Sequence, residues 1–261
     1  QRSLRSDTLY YSTIDEIFMA KKLQLDSALQ KGKFAKIEQI SKEGTRELRA
    51  YFLIVCEGAK TEPNYFKSFP KMGGSLVFDL TFDGGGISTT KVLEKAIEIR
   101  NKSSQKFDRI WIVFDKDSFD AGKFNKAIIE AKSKNISCAW SNEAFELWYL
   151  LYFVNRTTAM GREDYKKALE REVNKQITAK TGSKSTSYKY KKNDKSMYQT
   201  LKTYGSETNA IKWAKALCAA NVGEQYAKYN PCTMVYELVE ELNGKSKKLI
   251  EEINRKYETG E

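Results

Sequence analysis

The chain of 261 residues carries Lys+Arg 45 against Asp+Glu 34, a formal charge of +11, with 41% hydrophobic and 12% aromatic residues. That is enough apolar material to bury a core in one or two domains, and the positive balance suits polyanionic partners. There is no histidine, which excludes Ser-His-Asp triads and HExxH zinc sites, and the four scattered cysteines form no CxxC pair, which argues against a zinc ribbon or disulfide framework and fits a reducing cytoplasm.

Residues 1–48 mix charges with apolar positions at helical spacing, among them Ile14, Ile17, Phe18, Leu25 and Leu29, and predict an N-terminal helical extension. No signal-peptide core stands in the first 26 residues. Tyr51-Phe52-Leu53-Ile54-Val55-Cys56 then reads as a buried strand ending at Gly58. Three further strand-like runs follow at 76–82, 109–114 and, more weakly, 136–140. Between them, 89–101 and 121–133 have helical spacing. The alternation predicts an α/β domain over 49–155, a mostly parallel four-stranded sheet flanked by helices. The most apolar stretch, 145–154, is too short to span a bilayer and carries Glu146 near its start, so a soluble cytoplasmic chain with no membrane attachment is expected. Phe145, Trp148, Tyr149 and Tyr152 recur at helical spacing and read as core packing.

Residues 156–261 read as a basic, mainly helical C-terminal region. Between Arg156 and Lys195 there are 12 Lys/Arg against 5 Asp/Glu, a local net charge of +7. Residues 180–195 are rich in Ser, Thr, Lys and Tyr and predict a long mobile loop. Lys184, Lys189, Lys191 and Lys192 with Tyr188 and Tyr190 combine charge for phosphates with rings that stack on bases; a solvated loop is the alternative.

In an α/β sheet, reactive groups gather at the carboxyl ends of the strands. Glu57 follows the first strand, and Asp115 and Asp117 follow the third. Residues two apart in an extended segment point the same way, so the two aspartates present both carboxylates to one point. If the strands are neighbours, Glu57 completes an oxygen-rich set suited to Mg²⁺ or Mn²⁺. Taken singly, each acid also reads as a turn or helix cap. Lys60, just beyond Glu57, is either a phosphate contact or a surface lysine. Gly84-Gly85-Gly86 before Ser88-Thr89-Thr90 reads as a flexible turn capping the next helix and lacks the P-loop pattern.

Glu57-Gly58 and Asp115-Lys116-Asp117, separated by 58 positions, resemble the Toprim domain of topoisomerases, primases and OLD-type nucleases. The longer wording, Val55-Cys56-Glu57-Gly58-Ala59-Lys60-Thr61-Glu62-Pro63-Asn64-Tyr65-Phe66, then Asp115-Lys116-Asp117, then Ser141-Asn142-Glu143-Ala144-Phe145-Glu146-Leu147-Trp148, is similar to the RloB-like family, Toprim-like proteins of bacterial defence and restriction loci. Asn230-Pro231-Cys232-Thr233 echoes the family's C-terminal part; Tyr152 stands where the family often has histidine. The resemblance implies a divalent-metal-dependent nuclease, cutting DNA or RNA, tRNA included, as the effector of an antiphage system. Glu57, Asp115 and Asp117 would be the catalytic and metal-binding set, with Glu146 an additional ligand or a helix cap. It also implies a separate AAA- or ABC-type ATPase as partner, since this sequence has no Walker motif; self-association is left open. The reading from another class is a non-catalytic Toprim-like module that binds nucleic acid beside such an ATPase.

Overall fold

The structure, a computed structural model, describes residues 47–182 and 187–259. The helical extension expected for residues 1–48 therefore lies almost wholly outside the described residues. The apolar run at 51–56 forms the body of β1 (Leu48–Cys56). It is flanked by β3 (Leu76–Gly84) and β4 (Arg109–Asp115), both parallel to it, and β5 (Ser137–Asn142) lies parallel outside β4. These are the four expected strands. Two antiparallel edge strands of two residues, β2 (Met72–Gly73) and β6 (Cys232–Thr233), extend the sheet to six strands in the order β2-β3-β1-β4-β5-β6. So short a strand has no alternation to read, which is why the sequence shows only four.

Residues 52–56 of β1 are fully buried, because both faces of the sheet are covered. Leu53 and Val55 face one layer, with Ile112 and Phe114 of β4 beside them. That layer is α2 (Thr89–Lys102), through Val92 and Ala96, and α3 (Ala121–Ser133), through Phe124 and Ile128. Phe52, Ile54 and Cys56 face the other layer, with Trp111 and Val113. Packed there are α1 (Thr61–Lys67), α4 (Glu146–Leu150) and the C-terminal helices α5 (Arg162–Thr181), α6 (Met197–Tyr204), α7 (Glu207–Ala219), α8 (Val235–Leu242) and α9 (Lys247–Thr259). The aromatic stripe Phe145, Trp148, Tyr149 and Tyr152 is buried in this second layer, as its spacing predicts.

Charged ties fasten α8 and α9 to the amino end of β4. Arg109 pairs with Glu241 at 2.9 Å, the Trp111 indole donates to the same carboxylate at 2.9 Å, and Lys256 reaches Asp108 at 2.8 Å. No helix among the described residues is long and apolar enough to cross a membrane.

The segment expected to be a long mobile loop is largely built into the fold. Helix α5 runs to Thr181 and ends on Gly182 in the left-handed conformation, φ +68°. Beyond the undescribed 183–186, the chain is laid along α5, where Asn174 Oδ1 accepts from the Tyr188 N–H at 2.7 Å and Glu170 Oε1 from the Tyr190 N–H at 3.0 Å. It then crosses to α1, where the Thr61 hydroxyl donates to the Lys192 carbonyl at 3.1 Å. Polar composition predicts exposure here; the two tyrosines, turned inward, are what hold the segment down.

Because β1 packs on both faces, Ile54→Ala should lower the unfolding free energy by about 2–5 kcal/mol, whereas Met72→Ala, at an edge residue 64% exposed, should change it by no more than about 0.5 kcal/mol. Urea denaturation of the two variants checks this, and equal effects would contradict the central position of β1.

Candidate active site

The pairing register brings the ends of the parallel strands to one edge. Cys56 lies level with Gly84 on one side and Val113 on the other, while β4 continues to Asp115, level with Ser141. The chain leaves these ends as loops, and the acidic residues sit in the first positions of those loops. Gly84 turns sharply with φ +94°, and a Cβ there would come within 2.2 Å of the Cys56 carbonyl oxygen. The glycine turn thus passes directly over the end of β1, and α2 begins beside Glu57.

Glu57 continues the ladder, its N–H donating to the Val113 carbonyl at 2.8 Å. Its carboxylate is held at both oxygens: Oε1 accepts from the Thr89 hydroxyl at 3.0 Å and Oε2 from the Asp115 N–H at 3.1 Å. That confirms β1 and β4 as neighbours and fixes the glutamate across the top of β4. Burial raises its carboxyl above the ordinary range, opposed by the Asp115 N–H, the Thr89 hydroxyl and the Arg162 charge.

Asp115 keeps the strand phase of Trp111 and Val113 and so faces the layer of α1, α4 and α5. It is 9% exposed. Its Oδ2 lies 2.9 Å from Arg162 Nη2, and among the described residues Oδ1 has no hydrogen-bond partner. Burial, then the nearby carboxylates of Glu62 and Glu146, push its carboxyl well above the usual carboxylate range.

Asp117 reaches the site differently from the extended pair the spacing predicts. Its φ of +37° places it in the left-handed region, where Asp is one of the few tolerated residues. Its N–H donates to the Glu143 carbonyl at 3.0 Å. The two aspartates meet through a third group, as Arg162 Nη1 lies 2.8 Å from Asp117 Oδ2 while Nη2 holds Asp115. Lys116, between them in sequence, turns its ammonium to the Asp117 carbonyl at 3.2 Å and serves the turn.

Two further carboxylates close the group. Glu146, at the start of α4, is buried and accepts the Tyr190 hydroxyl at 2.9 Å, so it is inside the cluster and not a solvent-facing cap. Glu62, in the first turn of α1, is also buried. Gly58 is what admits it: a Cβ at that position would come within 2.2 Å of Glu62 Oε2. Burial, reinforced by Glu146 and Glu57, pushes the Glu62 carboxyl up to about 7.

These groups line one cavity of about 670 Å³, with Lys60, Lys123 and Lys192 among its other walls. Of the sequence-predicted residues, Glu57, Asp115, Asp117, Glu146, Lys60 and Lys192 are brought together here. Lys189 is drawn away to Glu170 at 3.1 Å, Lys191 is exposed outside the lining, and Lys184 lies outside the described residues. Tyr188 and Tyr190 are not free stacking platforms. The Tyr188 hydroxyl meets Met197 Sδ at 3.1 Å, and the Tyr190 ring packs edge-on to Tyr149. Local sequence pattern does not single out Arg162, Thr89 or a site role for Glu62. A readable signal for Arg162 is a cation at the first position of a helix, the end the helix dipole disfavours. For Glu62 it is an acid in the first turn of α1, three and four residues before Tyr65 and Phe66.

The donor set suits a hard cation. It consists of carboxylate oxygens without thiol or imidazole, and one of them, Asp115 Oδ1, is buried and unpartnered. Among the described residues, no three of these acids already converge as a metal cage; the Arg162 guanidinium is what bridges Asp115 and Asp117.

The family model described as RloB-like protein matches residues 52–242, well over half of the chain, and the chain belongs to that family. No curated protein matches it, and no solved structure does.

The raised Glu62 carboxyl has a stability consequence. The folded chain keeps a proton up to about pH 7 that an ordinary carboxyl releases near 4.5, so this group's stabilisation is complete below about 4.5 and is lost as pH rises towards 7. We expect Glu62→Gln to flatten that part of the stability profile and to unfold about 1–3 kcal/mol harder than the parent at pH 8. Thermal melts from pH 4 to pH 8 check it; parallel profiles would show that Glu62 is not buried as an acid.

Proposed function

We propose that this RloB-like protein is a divalent-cation-dependent phosphodiesterase that cleaves nucleic acid, DNA or RNA, as the effector of a bacterial antiphage system. The observation that carries the reading is Asp115: a buried carboxylate with one free oxygen, crowded by Glu57, Glu62 and Glu146 at the carboxyl edge of a parallel sheet. Arg162 answers only Oδ2 of this carboxylate; an ion or proton at Oδ1 would answer the rest, and Asp115 lines a cavity large enough for a nucleotide unit.

In this reading Asp115, with Glu57, Asp117 and Glu146, would hold Mg²⁺ or Mn²⁺. When bound, the ion would neutralise charge on a phosphodiester and acidify a water. The chain's own residues do the rest. Thr89 and the Asp115 N–H keep the Glu57 carboxylate in one orientation, which suits a group that must meet a proton at a fixed point. Lys60 and Lys192, on the cavity wall and exposed, steer phosphates inward. The local excess of positive charge along residues 156–195 serves the same polyanion without choosing between DNA and RNA. A separate AAA- or ABC-type ATPase belongs to the same proposal, as the source of any nucleotide-driven control over a chain without a Walker motif.

A non-catalytic nucleic-acid-binding module is the competing reading, favoured by the guanidinium that already answers two of the acids. Labelled double-stranded DNA, single-stranded DNA and total tRNA incubated with Mn²⁺ or Mg²⁺ separate the two. Cleavage of one substrate, reduced about 10²-fold or more by Glu57→Ala and by Asp115→Ala/Asp117→Ala, is the expected result. Binding that both variants retain, without cleavage and with the partner ATPase supplied, would establish the module instead.

A further inference from the structure

Arg162 occupies its position on unusual terms. It opens the 20-residue helix α5, with its charge at the positive end of the helix dipole. The residue before it is Gly161, at the end of an irregular stretch from 154 to 161, so the backbone that carries it is not part of the sheet or of a packed helix interior. Among the described residues its polar contacts are the two aspartates, at 2.9 Å and 2.8 Å, and its buried Nε has no hydrogen-bond partner. Among the described residues the guanidinium is thus held by carboxylates alone. Its side chain is still 27% exposed and forms part of the cavity wall shared with Lys60 and Lys192.

Resting on the cation-dependent reading above, we propose that Arg162 and a divalent ion exclude each other at the Asp115–Asp117 pair, and that the guanidinium so released binds a phosphate of the incoming nucleic acid. One charge answers the pair at a time. Asp115 Oδ2 and Asp117 Oδ2, which Arg162 now spans, are the oxygens a cation entering between the two residues would take. Among the described residues no other hydrogen bond restrains Arg162 from leaving, and a planar fork that fits two carboxylates fits a phosphate equally well. Ion binding would then be coupled to substrate binding through a single side chain: the ion frees the phosphate ligand, and the phosphate keeps it from returning.

The test is calorimetric titration of Mn²⁺ into the parent chain, Arg162→Met, Arg162→Lys and Asp115→Asn, together with the salt dependence of oligonucleotide binding in Ca²⁺ and in EDTA. Arg162→Lys keeps a charge beside the aspartates and guards against a Met variant that fails to fold. We expect Arg162→Met to bind Mn²⁺ about tenfold more tightly than the parent, Arg162→Lys to fall between them, and Asp115→Asn to lose the site. The slope of log affinity on log salt should drop by about 1 for Arg162→Met in Ca²⁺ and stay unchanged in EDTA. If Mn²⁺ binds the parent through Asp115 but no more tightly to either Arg162 variant, the exchange is wrong while the cation site stands. A slope that drops equally in Ca²⁺ and EDTA also overturns the exchange. If Mn²⁺ binds none of the four proteins, the cation-dependent reading falls and the exchange falls with it.

Discussion

A carboxylate withdrawn from water costs several kcal/mol unless something answers its charge, and the carboxyl edge of this sheet withdraws more than one. Asp115, Glu62 and Glu146 are buried and Glu57 is partly so; Glu62 and Glu146 raise the cost of ionising Asp115, as Glu146 and Glu57 raise that of Glu62. Among the described residues, Arg162, the Thr89 and Tyr190 hydroxyls and the Asp115 N–H answer them. Much of the surrounding architecture is explained by the need to hold these groups together. Gly58 leaves room for the Glu62 carboxylate, the glycine turn at 84–86 brings Thr89 to Glu57, and Tyr190 is turned inward to reach Glu146.

The sheet supplies the precision. Glu57 and Asp115 come from adjacent parallel strands but in opposite phases, one towards the α2 and α3 layer and the other towards the α1, α4 and α5 layer. The cluster therefore straddles the sheet edge and draws partners from both layers. Strand β1, buried on both faces, fixes the spacing, and the C-terminal helices contribute both core for one face and the cation that faces Asp115. A basic helical region that reads in sequence as an appendage to the sheet supplies a wall of the site.

The legible parts of this arrangement are those written in local pattern. The run from Tyr51 to Cys56 announces a doubly covered strand, and Glu57 and Asp115 at the ends of two such runs announce a shared edge, because strand ends need no tertiary knowledge to locate. Arg162 was not legible, since its partners lie 47 and 45 positions earlier and nothing local joins them. Asp117 lines the same cavity as Asp115, but not through the extended backbone its spacing predicts: the turn at φ +37° and the guanidinium bring it round. Tyr188 and Tyr190 read as solvent-bound because they stand beside lysines, whereas Asn174 and Glu170 hold their backbone and Met197, Tyr149 and Glu146 meet their side chains.

The central claim is that the cluster around Asp115 is built to take a divalent cation. A crystal of the whole chain grown with Mn²⁺, examined for anomalous scattering at the manganese edge, tests it most directly. The account predicts a peak at ligand distance from Asp115, about 2.0–2.4 Å from a carboxylate oxygen, that vanishes in Asp115→Asn. No peak at this edge of the sheet, or one that persists without the Asp115 carboxylate, would contradict it.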